Sequence, residues 1–197
     1  MKSLLSIITA PFTHKKKPPI DAPLEQAEKP LAGRHFVLDG TNIALLHGPK
    51  RPELRYVLAI AEFCRENGAS VSCFFDANTG YLFRDGREGQ SACFETLTTA
   101  QPWAKNFGIV PSGTQADPWI LQDAKEKLAD VVSNDRFKDR AKAHRWIWKR
   151  RHDVYVVGGR LQLPSISAEL DLLTQPEDYL APLASLPIQP NGLRAKT

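Results

Sequence analysis

Asp39, Asp76, Asp117, Asp135 and Asp139 are the residues on which chemistry could rest. The last two fall in VVSNDRFKD, residues 131–139, directly after an apolar run. If a helix starts there, both carboxylates share one face, and like charges at that spacing destabilise a helix by about 0.2–0.5 kcal/mol. The pair is explained if Asp135 only caps the helix, or if something cationic lies between the two. Crowded carboxylates raise one another's pKa unless a cation neutralises them. A hard divalent ion does this best. Mg²⁺ takes oxygen ligands, keeps several waters and bridges to phosphate. Such an ion polarises a phosphodiester and generates a hydroxide nucleophile at neutral pH.

The elements that would bring these acids together follow from pattern. HFVLD (35–39) is a short apolar run between Gly33 and Gly40, which predicts a buried strand. Residues 52–67 start with Pro52 at a first helical position, set Leu54, Val57, Leu58, Ala61 and Cys64 on one face, and stop at Gly68. SVSCFFD (70–76) predicts a second strand, residues 87–100 a helix, and 106–113 a third strand. Residues 116–128 predict a helix with Asp117 as cap and Pro118 at its first position. Residues 129–135 hold a fourth strand, 137–149 a helix, and DVYVV (153–157) a fifth strand. Gly158-Gly159 then reads as a hairpin turn into RLQLP.

Strands alternating with helices mean a three-layer α/β domain around a mostly parallel sheet. Ligands in such sheets bind at the carboxyl ends of the strands. Each of the first four strands delivers an aspartate there, so Asp39, Asp117, Asp135 and Asp139 converge on one cleft. Any one of them has an ordinary explanation, because Asp caps helices and follows strands in turns. The set at one edge points to a metal.

A chain of 197 residues suits one domain with tails. With 42% hydrophobic and 24% charged residues it reads as soluble and globular. The net charge of +4 permits a polyanionic partner without demanding one. Cys64, Cys73 and Cys93 form no CxxC pair, which argues against a zinc ribbon or a disulfide framework and for a reducing cytoplasm. MKSLLSIITA superficially resembles a signal peptide, but its apolar run stops at Pro11 and HKKK follows. No stretch approaches the roughly 18 apolar residues of a membrane span. Prolines and a lysine run mark residues 1–32 as a flexible tail. Residues 33–174 form the domain, and recurring prolines make 175–197 an irregular arm.

VLDGTNIA (37–44) resembles the first motif of the NYN-domain ribonucleases of the PIN-like superfamily. VVSNDRFKD resembles their fourth-strand motif, especially in the branch of the Regnase-type ribonucleases. FFDANTG (74–80) and ADPWILQDA (116–124) resemble the second-strand motif and the helix carrying the third acidic position. The motifs run in order over residues 34–165 and imply a Rossmann-like PIN/NYN fold. They also imply a metal-dependent endoribonuclease acting on single-stranded RNA. Asp39, Asp117, Asp135 and Asp139 would hold Mg²⁺ or Mn²⁺, and Asn42 would be the polar partner of the first motif. The resemblance suggests a homodimer and gives Asp76 no role. Regnase-type members often carry adjacent acids where this chain has Ala116-Asp117.

Under that resemblance, Asn42, Ser133 and Asn134 orient substrate or water. Arg84 and Arg87, with Tyr81 and Phe83, lie in a loop expected to overhang the cleft. Arg136 and Lys138 flank the acidic turn. Cations there would bind phosphate without reading sequence, and an aromatic could stack an unpaired base. WIWKRRH (146–152) reads as structural or as a secondary RNA contact. Two rivals are weaker. A haloacid-dehalogenase-like phosphatase needs a second Asp where this chain has Thr41, and a non-cutting RNA- or protein-binding PIN-like domain should show eroded acids.

Overall fold

The computed structural model describes residues 30–84, 89–140 and 142–187. The tail expected over residues 1–32 therefore lies almost wholly outside the described residues, as does Arg87. In chain order the elements of the first half are β1 (His35–Asp39), α1 (Gly40–Ala44), α2 (Leu54–Glu66), β2 (Ser70–Phe75), α3 (Thr79–Leu82) and α4 (Gln90–Thr99). Then come β3 (Phe107–Ile109), α5 (Asp117–Glu126), β4 (Asp130–Val132), α6 (Ile147–Arg150), β5 (Arg151–His152), β6 (Tyr155–Val157), β7 (Arg160–Leu163), β8 (Ala168–Leu170) and α7 (Leu180–Leu183).

The main sheet has the order β3-β2-β1-β4-β5, and every pairing in it is parallel. From β1 the chain first steps to one side, through β2 to β3, and then returns to β1's other side as β4. That reversal opens a crevice at the carboxyl end of β1. All five residues of β1 and all six of β2 are buried. Phe36, Leu38, Val71, Cys73 and Phe75 enter one apolar cluster with α2 and α4, whereas Val37, Phe74 and Val131 enter another with Ile120, Leu121 and Ala124 of α5. This alternation is the period of two of a strand covered on both faces. Each buried side chain of this size contributes about 1.5–3 kcal/mol.

The expected face of α2 is buried, and Gly68 beyond its end takes φ +77°. The helix starts at Leu54, two residues after Pro52, because Gln90 accepts the Leu54 N–H and donates to the Pro52 carbonyl. Gly40 lies against the Phe75 ring. A Cβ there would meet ring carbons at 2.5 Å and Cys73 Sγ at 2.8 Å.

Three expectations need correction. The helix predicted over 137–149 is absent. Phe137 takes φ +46°, turns follow, and only Ile147–Arg150 is helical. Asp135 and Asp139 thus do not share a helix face. The fifth strand of the parallel sheet is Arg151–His152, paired with Val131 and Val132, not DVYVV. Tyr155–Val157 instead opens a separate antiparallel sheet, β6-β7-β8, through the expected two-glycine turn, with Gly158 and Gly159 at φ +58° and +82°. Third, α5 is capped by Ala116, and Asp117 is its first helical residue with no capping bond from its side chain.

Leu161, Leu163, Ala168 and Leu170 of the small sheet bury into the α2 side of the core. Residues 176–186 also pack there, through Tyr179, Leu183 and Leu186, and Trp103 donates its indole N–H to the Leu180 carbonyl at 2.8 Å. Among the described residues no helix is long and apolar enough to cross a membrane, and the three cysteines are buried free thiols.

Candidate nuclease site

Asp39 ends the central strand, at the crevice. It is 5% exposed and caps α1, accepting the Asn42 N–H at 3.3 Å. One step beyond the Leu38–Val132 pair, the fully buried Ser133 donates its hydroxyl to Asp39 Oδ2 at 2.7 Å. Burial pushes the Asp39 carboxyl up to about 7. The Ser133 and Asn42 bonds oppose that rise, and the Asp117 and Asp76 carboxylates add to it.

The turn after β4 is held from several sides. Ser133 Oγ accepts the Asp135 N–H at 3.0 Å, and Asp135 Oδ1 accepts the Phe137 N–H at 2.8 Å. That local bond supports the left-handed residue, whose ring is buried in the α5 cluster. Asn42 Oδ1 accepts the Asn134 N–H at 2.9 Å, fastening α1 to this turn. Asn134, expected to touch substrate, has its amide on the Val154 backbone instead. It donates to the carbonyl and accepts the N–H, both at 2.8 Å.

Asp117 is half-buried at the start of α5. Burial raises its pKa, Asp135 raises it further, Arg140 opposes this, and Asp76 adds to it. Arg140 Nε lies 3.7 Å from Asp117 Oδ2. Asp76, left without a role by its motif, accepts the Ala116 N–H on Oδ1 at 3.0 Å and so holds the start of α5. Its own N–H donates to Thr41 Oγ1 at 2.8 Å, and Thr41 shares a hydrogen bond with Thr79. The position where a phosphatase would need an acid is thus a buried structural link. The sequence signal for Asp76 was its place at a strand end. Arg140 had no comparable signal.

The remaining candidates are less engaged. Asp139 is exposed in the turns after Phe137, and Lys138 is exposed beside it. The Arg84 guanidinium sits 4.4 Å over the ring of Tyr81, itself 62% exposed, just after α3. His47 is tied to the Tyr56 hydroxyl at 2.7 Å.

Asp39 thus feels the charges of Asp117 and Asp76, and Asp117 those of Asp135 and Asp76. Their donors are all oxygen, which suits a hard cation. Among the described residues no three His, Cys, Asp or Glu side chains converge as a ready cage. An ion held here would take only a few protein oxygens and keep much of its water, as Mg²⁺ commonly does.

The class this fold and crevice define is a PIN-like NYN nuclease domain. Among solved structures, the chain matches nuclear proteinaceous RNase P 2 of A. thaliana with a TM-score of 0.52 and 18% identity. The match covers 68% of this chain and 30% of that one, and it carries the fold alone. A search of curated proteins finds no match. Residues 32–159 match the Zc3h12a-like ribonuclease NYN domain, and the chain belongs to that family.

Proposed function

We propose that the chain is a metal-dependent endoribonuclease that hydrolyses phosphodiester bonds of single-stranded RNA. The observation that carries this is Asp39. It is a carboxylate nearly out of contact with water, at the crevice of the sheet, under the field of Asp117 and Asp76. Such a group is accommodated either by protonation or by a cation, and a cation would also accommodate its acidic neighbours. Asp39, Asp117 and Asp135 would hold Mg²⁺ or Mn²⁺, directly or through water, with Asp139 acting from the rim. Bound there, the ion would supply Lewis-acid stabilisation of phosphate charge and an activated water.

The protein's own part is positioning. Ser133 fixes the Asp39 carboxylate and spaces Asp135 from it, and Asn42 holds the acidic turn against α1. Asp76 sets the start of α5, and hence Asp117. Arg140 offsets the Asp117 charge in part. Lys138 and Arg84 are exposed and available for phosphate, and Arg87 is assigned with them from sequence. The buried free thiols accord with a cytoplasmic setting.

The test is cleavage of end-labelled single-stranded RNA by the purified chain in Mn²⁺, Mg²⁺ or EDTA, beside Asp39→Asn. Cutting that needs the metal and is lost in the variant is the expected result. Binding without cutting by folded protein in either metal overturns the catalytic reading and leaves an RNA-binding module.

A further inference from the structure

The connection from β4 to β5 concentrates the chain's positive charge. Residues 136–151 hold eight Lys or Arg against one Asp, in a protein whose total is only +4. The rest of the chain is therefore net negative. Because β4 and β5 are parallel, this segment must return from the carboxyl edge of the sheet, beside Asp135, to the amino edge where β5 begins. It is pinned inward by Phe137 and Ile147, both buried against α5, and at its far end by Arg150 donating to the Leu128 carbonyl. Three of its cations are engaged: Arg140 with Asp117, Arg151 with Asp153, and Arg150 with that carbonyl. The other five, Arg136, Lys138, Lys142, Arg145 and Lys149, are exposed and have no ion pair among the described residues. Trp148 lies at the far end in the short helix α6, 51% exposed and next to Lys149.

A large aromatic left in water costs stability that a core position would return. Set among unpaired cations, it has the make-up of a single-strand site, where cations follow the phosphates and a ring stacks a base. We propose that this connection is a binding track for single-stranded RNA. It leads from the acidic site across the outer face of the α5 layer to Trp148, which stacks one base. The proposal rests on the nuclease reading for its choice of RNA over an acidic protein, because the track begins beside Asp135.

The test separates binding from cutting. Full-length protein carrying Asp39→Asn is titrated into labelled single-stranded RNA in EDTA, and anisotropy is followed over a range of salt. Removing Lys142, Arg145 and Lys149 together, each as Lys→Gln or Arg→Gln, should weaken binding at least tenfold. It should also flatten the salt dependence by about two units of log K per log salt, at roughly 0.7 per phosphate contact. Trp148→Ala should weaken binding about tenfold and leave the salt slope unchanged. Circular dichroism and urea midpoints check that these exposed changes leave the fold intact. Unchanged affinity and slope in both variants overturn the track, even if the wild-type chain cuts RNA. Weakened binding by variants of a chain that never cuts keeps the track and removes the nuclease reading. If RNA binding holds and only a polyglutamate probe is released, the surface takes an acidic protein and the proposal fails.

Discussion

Ser133 donates its hydroxyl to Asp39 Oδ2 at 2.7 Å while accepting the Asp135 N–H at 3.0 Å, so one buried side chain sets the spacing of two acids. Ser133→Ala would leave the Asp135 N–H without this acceptor and remove the strongest influence that eases Asp39's ionisation. Losing such a buried partner costs about 1–3 kcal/mol. We expect urea unfolding to show that loss and cleavage to fall by roughly ten- to a hundredfold, as follows when positioning is lost. A variant that cuts like wild type would show that Asp39 needs no such support.

Asp39 itself should make the metal-free protein less stable at neutral pH. Its folded pKa of about 7 lies above its ordinary value of 3.8. Folding therefore favours the protonated form. The associated stability is fully present below about pH 3.8 and is lost as pH rises through 7. Asp39→Asn cannot ionise, so in EDTA it should exceed wild type by roughly 2–4 kcal/mol at pH 8, with the gap closing towards pH 4. Urea midpoints across that range decide it, and a gap that does not vary with pH would mean that the carboxylate is not desolvated.

Asp76 offers a choice between two roles. If it acts by holding the Ala116 N–H, Asp76→Asn should retain most activity, because an amide oxygen can still accept that bond. Asp76→Ala should lose activity more than tenfold, through misplacement of Asp117. Equal losses in both, together with a higher Mn²⁺ concentration needed for half-maximal activity, would make Asp76 a ligand instead.

Asp135 and Asp139 should not be equivalent. Both are exposed, but Asp135 is anchored by Ser133 and acts on Asp117, whereas Asp139 lies on the turns beyond Phe137. Asp135→Asn should reduce cleavage by two orders of magnitude or more, and Asp139→Asn by about tenfold, consistent with one direct and one outer electrostatic contribution. Rates at saturating Mn²⁺ test the ranking, and the reverse order would place Asp139 at the metal.

The central strands were legible because HFVLD and SVSCFF are buried on both faces and must be continuously apolar or small. The hairpin was legible because two adjacent glycines at positive φ suit one kind of turn. The segment 137–149 misled because its aromatic and apolar residues fall at helical spacing. What breaks the helix is the Asp135 carboxylate reaching the Phe137 N–H while that ring enters a core formed by α5. Arg151-His152 has no strand signature, since it lies at the sheet edge and is selected by backbone pairing to Val131 and Val132. Asp39, Asp76 and Asp135 were legible as residues at or just after strand ends, and Asp117 as the start of a helix. The bond from Ala116 to Asp76 joins positions 40 apart and left no local trace.

Gly40 follows Asp39, and a methyl group there would press into the Phe75 ring. The first motif is therefore two constraints written side by side, one chemical and one steric. A change at Asp39 would bear on the candidate site alone, whereas a side chain at Gly40 would disturb the core. A chain keeping that glycine without the acid would keep the packing and lose the candidate site, and this chain has both residues.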